Sequence, residues 1–192
     1  MQKGFTLIEL IVVTGILALI SSLILANNNR FGGETLLRNL AYDIALSVRQ
    51  AQVYGIAVRR FADDEFNTGY GMYFNKDTAT TYVLFADAYP GGGGNGLYDP
   101  GENELVEATT MQKGFHIADL CATSDGVSEI CGIDTLHILF KRPEPDAYIS
   151  INGVSGTLNP TALHERGRII IESPRGDRFS VVVEATGQIS VQ

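Results

Sequence analysis

Glu9 is the first residue whose placement suggests chemistry. It is the one charged side chain in FTLIELIVVTGILALISSLILA, an apolar run from Phe5 to Ala26. A carboxylate in or near hydrocarbon costs a few kcal/mol unless it is paired or protonated. Two readings follow: Glu9 is tolerated at the headgroups, or it pairs with a positive charge on another subunit. A second group lies in DAYPGGGGNGLYDPGENELVE, 87–107, where Asp87, Asn95, Asp99, Glu102 and Glu104 offer hard oxygen ligands among glycines. Such oxygens suit calcium, although the spacing is not that of an EF-hand, and a solvated acidic loop accounts for it equally simply. No Gly-Lys-Ser/Thr follows the four glycines, which excludes a P-loop.

Other reactive side chains point less clearly. Cys121 and Cys131 are the only cysteines, with nine residues between them. In an exported domain such a pair tends to oxidise; the alternative is two reduced thiols. Zinc would need further Cys or His partners nearby, which are missing. The three histidines, His116, His137 and His164, are isolated, and no Gly-x-Ser-x-Gly or His-Glu-x-x-His pattern occurs. The sequence therefore suggests no enzyme. Arg166, Arg168, Arg175 and Arg178 form a basic cluster, but Glu165, Glu172 and Asp177 interleave with it, so a solvated face competes with nucleic-acid binding. A chain with 22 acidic against 14 basic residues and a net charge of −8 is by charge a poor binder of phosphate backbones.

These residues are positioned by a simple order of elements. The run 5–26 is long enough to cross a bilayer as a helix and is apolar on all faces. Lys3 precedes it, which keeps the amino terminus cytoplasmic and places the remainder outside, with Arg30 weakening the asymmetry slightly. Asn27 to Gly33, NNNRFGG, disfavours a helix interior and predicts a hinge at 27–33. From 34 to 55 an apolar stripe of Leu37, Leu40, Ala41, Ile44, Val48 and Ala51 predicts an amphipathic helix, with Gly55 as its stop. Strands are predicted at 56–61, 69–74, 81–86, 104–108, 115–120, 135–141, 147–151, 168–173, 178–184 and 188–191, where Val, Ile, Tyr and Phe are bounded by turn residues. Ala185-Thr186-Gly187-Gln188 reads as the turn of a terminal hairpin.

Gly4-Phe5-Thr6-Leu7-Ile8-Glu9, preceded by a short basic leader and followed by an apolar helix, resembles the signal of type IV pilins and type II secretion pseudopilins. The resemblance implies cleavage between Gly4 and Phe5 by a prepilin peptidase, N-methylation of Phe5, and contact between Glu9 and the terminal amine of a neighbouring subunit. The proline that many family helices carry in the apolar stretch is missing; the first proline is Pro90. SVRQAQVYGIAV and the closing GRIIIESPRGDRFSVVVEATGQISVQ resemble, more loosely, the H-type minor pseudopilins and related minor pilins.

The expectation is an α+β chain: a leader at 1–4, a transmembrane and filament-core helix at 5–26, a hinge at 27–33, an amphipathic helix at 34–55 and an antiparallel, β-rich extracytoplasmic domain at 56–192. Its implied role is that of a minor pseudopilin or minor pilin in a secretion pseudopilus or type IV pilus. The alternative is a pilus-tip module binding DNA or a surface. Implied partners are other pilin-like subunits, an inner-membrane assembly platform, the prepilin peptidase and, before assembly, membrane lipid. No cofactor is required beyond the calcium considered for the acidic loop.

Overall fold

The computed structural model describes the chain except residues 1–3, 58–60, 62–67, 91, 92 and 125–127 and the side chains of 26–32. Helix α1 spans Leu7–Ile56. The chain divides into two compact units, Met1–Leu36 and Leu37–Gln192.

In the first unit, Leu7–Leu25 forms a 19-residue window of mean hydropathy 2.5, none of it buried. At 1.5 Å per residue this window extends about 28 Å, close to the thickness of a bilayer's hydrocarbon core. A helix apolar on every face has no surface to turn toward water, so its burial must come from lipid or from other helices. Residues 27–33, where the Asn and Gly composition predicts a hinge, carry helical backbone. The boundary between the units lies at Leu36 and Leu37, a few residues further on.

In the second unit the pattern becomes one-sided. Leu37, Ala41, Ile44, Val48 and Ala51 are completely buried, whereas Leu46 and Val53 on other faces are exposed. Leu40 is partly buried against the same cluster. The helix therefore presents a stripe at three- and four-residue spacing to the core. Gly55 does not stop the helix, which continues to Ile56, so the strand expected to begin at 56 does not start there. Most of the remaining 56–61 span lies outside the described residues. Gly55 serves close packing instead: a methyl group there would lie 2.3 Å from the carbonyl oxygen of Phe140.

Among the described residues, two antiparallel five-stranded sheets follow the helix. The first contains β1 (Gly69–Asn75), β2 (Thr81–Asp87), β3 (Leu105–Thr110), β6 (Thr135–Phe140) and β7 (Ala147–Ile151), in the order β3-β2-β1-β6-β7. The second contains β4 (His116–Thr123), β5 (Ile130–Cys131), β8 (Arg166–Glu172), β9 (Arg178–Glu184) and β10 (Ile189–Val191), in the order β10-β9-β8-β4-β5. Among the described residues, nine of the ten predicted strands are thus present within a few residues, and β5 is an addition. The β9–β10 turn closes through the Glu184 N–H donating to the Gln188 carbonyl and the Gly187 N–H donating to the Glu184 carbonyl.

One buried cluster joins all three layers: Ile44 and Val48 from the helix, Met72 and Ile138 from the first sheet, and Leu120, Ile169 and Val181 from the second. Gln52, 3 % exposed, is the polar exception on the helix. Its amide nitrogen donates to the Pro145 and Gly187 carbonyls, which ties the helix to two loops. Gly55→Ala is expected to lower the unfolding free energy by about 1–3 kcal/mol, the usual cost of overpacking. Chemical denaturation of the purified protein measures this, and an unchanged midpoint would refute the close-packing role.

Candidate functional site

The expected processing and assembly residues sit at the start of the first unit. Gly4 and Phe5 precede α1 and are exposed, Phe5 at 81 %. An added Cβ at Gly4 meets nothing within 4 Å, so the fold itself does not demand glycine there. Thr6 caps the helix: its Oγ1 accepts the Glu9 N–H at 3.3 Å. Thr6-Leu7-Ile8-Glu9 has the spacing of a capping box, a local signal that the sequence reading passed over. Glu9 thus stands in the first turn, where a negative charge complements the helix dipole. Its carboxylate remains exposed to whatever surrounds the apolar helix.

The acidic loop is organised by two buried carboxylates. Asp87 ends β2 at 1 % exposure and Glu104 precedes β3 at 1 %. Asp87 accepts N–H groups from Asn95 at 2.9 Å and from Gly96 at 3.0 Å. Glu104 accepts N–H groups from Ala88, Tyr89 and Asp99 at 2.8–2.9 Å. The loop wraps so closely that a Cβ on Gly94, whose φ is +74°, would fall 2.1 Å from the Asp87 carboxyl carbon. The Ser155 hydroxyl donates to the Asn95 carbonyl, the Thr157 hydroxyl donates to it at 2.8 Å, and Lys141 Nζ donates to the Gly93 carbonyl at 2.7 Å.

Calcium needs several oxygens turned toward one point. Here Asp87 and Glu104 are turned toward backbone N–H groups, Asp99 accepts the Asn95 side-chain amide at 2.7 Å, and Glu102 is exposed. Among the described residues no three carboxylates of this loop come together. As placed, the donor set fits a loop closed by its own N–H groups rather than a shared cation cage.

Burial pushes the Asp87 carboxyl up to about 7 from 3.8, outweighing the N–H bonds from Gly96 and Asn95. Burial likewise raises Glu104. A raised carboxyl pKa means that the folded state holds the proton more tightly than the unfolded chain. This contribution to stability is fully present below about pH 4 and lost as the pH rises through about 7.

Cys121 of β4 and Cys131 of β5 face each other in register and form a disulfide. This agrees with the oxidised reading and explains how a two-residue strand is held at a sheet edge. Asp119, Cys121 and Cys131 approach one another, but both sulfurs are committed to the bridge.

The histidines are not assembled into a catalytic group. His137 is 3 % exposed, and its Nδ1 accepts the Tyr98 N–H at 3.1 Å; burial lowers its pKa to about 4. His164 Nδ1 lies 2.8 Å from the Ser124 hydroxyl, and His116 Nδ1 lies 3.4 Å from the Gly114 carbonyl. Among the basic cluster, Arg166 pairs with Glu184, Arg168 with Glu129 and Arg178 with Glu172, at 2.5–2.8 Å. These carboxylates compete with any phosphate for the arginines.

Residues 1–25 match the family model described as the prokaryotic N-terminal methylation motif. The chain therefore carries a type IV pilin-like prepilin signal. No curated protein and no solved structure shows significant similarity to the chain.

Asp87→Asn removes the titrating group while preserving an oxygen acceptor. Its melting temperature is expected to change less than that of the wild type between about pH 4 and 7.5, with Glu104 supplying the residual slope. Parallel melts at matched ionic strength check this; an identical slope in both proteins would contradict the assignment to Asp87.

Proposed function

We propose that this chain is a structural subunit of a type IV pilin-like filament, acting as a minor pseudopilin or minor pilin. The observation that carries this reading is the methylation motif at residues 1–25, coincident with a helix long and apolar enough to cross a membrane. The β-rich unit then acts as the extracytoplasmic part. Lys3 ahead of the apolar run favours that orientation, and the Cys121–Cys131 disulfide suits an oxidising compartment.

The chemistry follows from the first nine residues. A prepilin peptidase hydrolyses the Gly4–Phe5 bond and leaves Phe5 with a free amine, which is then methylated. Inside a bundle of apolar helices that ammonium and the Glu9 carboxylate of a neighbouring subunit relieve one another's burial. At 4 Å and an effective dielectric near 20, such a pair attracts by about 4 kcal/mol. Removing one member leaves an unpaired charge in a low-dielectric core and is strongly unfavourable. A secretion pseudopilus is the preferred setting, on the loose similarity of the helix end and terminal strands to H-type minor pseudopilins. Identification of the subunits that co-purify with the membrane-extracted protein tests that setting.

Gly4→Ala is expected to block leader removal. Because a Cβ at Gly4 touches nothing in the protein, a loss of processing reports on peptidase recognition rather than on folding. Immunoblots of cells with an active prepilin peptidase read the outcome, and normal processing would refute the cleavage assignment. Glu9→Val is expected to insert into the membrane normally but enter filaments at least tenfold less. Unimpaired incorporation, measured in sheared filament fractions, would remove Glu9 as the assembly contact.

A further inference from the structure

The loop closed by Asp87 and Glu104 forms one wall of a cleft of about 480 Å³ on the first sheet. That volume is within the range of small-ligand sites. Tyr73 from β1 and Tyr98 from the loop line it, with ring centroids 5.2 Å apart and planes inclined by 45°. His137 from β6 packs against Tyr73 at 4.7 Å. Asp99 on the loop and the exposed Asp134 before β6 add two carboxylates, and among the described residues no lysine or arginine lines the cleft.

We propose that this cleft receives a basic side chain, an arginine guanidinium, presented by a partner protein. This goes beyond filament assembly and does not depend on it. Charge complementarity selects the occupant. Two carboxylates and two tyrosines lining one cleft attract a cation, and a planar guanidinium can stack on tyrosine while forming charge-assisted hydrogen bonds to carboxylate. No described lining residue carries a positive charge that would offset that attraction. The His137 imidazole is buried, takes the Tyr98 N–H on Nδ1 and so carries its own proton on Nε2, remaining uncharged at neutral pH. Behind the wall, burial and then the neighbouring Glu104 carboxylate raise the Tyr98 phenol, which is consistent with a negative local potential. The recess is preorganised as well. Asn95 donates to Asp99 from one side, and the Asp99 N–H is held by Glu104, so the loop carboxylate is fixed from both ends. Pre-ordered groups reduce the entropy lost on binding.

The test uses the full-length protein in micelles of a zwitterionic detergent, titrated with a blocked arginine peptide and its citrulline counterpart. Citrulline has the shape of arginine without the charge. Saturable binding of the arginine peptide is expected, weakening at least threefold between about 50 and 500 mM NaCl as its ion pairs are screened. Asp134→Asn and Asp99→Asn should each weaken it about fivefold, a loss of roughly 1 kcal/mol. Asp134 is exposed, so its variant should melt like the wild type. The proposal is overturned if the arginine peptide does not saturate, if citrulline binds equally well, or if affinity is indifferent to salt. Binding of a neutral oligosaccharide in the same cleft, unaffected by either Asp variant, would also overturn it and assign a carbohydrate site.

Discussion

Everything in the larger unit depends on one helix face being buried along its length. Leu37, Ala41, Ile44, Val48 and Ala51 place a mixture of small and large side chains in one buried cluster with strands from both sheets. Each fully buried Leu, Ile or Val side chain among them contributes on the order of 1.5–3 kcal/mol, the alanines less. The approach is close at Gly55, where the helix backbone comes against the end of β6 at Phe140. Once that contact is set, β6 lies between β1 and β7, and the registers of the first sheet follow from antiparallel pairing. Gln52 extends the same logic to polar groups, since it satisfies two loop carbonyls from within the core.

The loop between β2 and β3 shows how buried carboxyl groups can organise irregular backbone. A 17-residue connection cannot bury its peptide groups without partners. Asp87 and Glu104 supply those partners as inward-pointing acceptors, and the glycines allow the chain to pass close to them. Desolvating two carboxylates is costly, which is why both pKa values rise. In return, the loop has a defined surface, and the Tyr73–Tyr98 cleft rests on it.

The two units treat apolar surface in opposite ways. The larger unit buries its aliphatic side chains on its own, while the first leaves Leu7–Leu25 uncovered. A surface of that kind is stable only in lipid or among like helices, and a single carboxylate stands at its start. Thr6 gives Glu9 a local structural reason as well, because the pair begins the helix in the manner of a capping box. The same residue therefore serves helix initiation and, in the proposed filament, subunit pairing.

The sequence by itself determined what local pattern can carry. The prepilin signal, the all-round apolar helix, the stripe from Leu37 to Ala51 and most strand positions are written in spacings of one to seven residues. The disulfide was legible too, because Cys121 and Cys131 have no competing partners. Tertiary structure decided the rest. Whether Asp87 and Glu104 meet a cation or backbone N–H groups depends on how a glycine-rich loop returns on itself, and composition does not fix that path. Gly55 looked like a stop because glycine often ends helices; only the proximity of Phe140 shows it to be a packing residue. The two-residue β5 was too short to leave a period of its own and exists through the bridge to β4. Likewise Tyr73, Tyr98, Asp99 and Asp134, scattered over 62 positions, gather into one cleft because strand order brings β1, β6 and the loop together. Long-range contacts of that kind are set by sheet pairing, which no single stretch of sequence records.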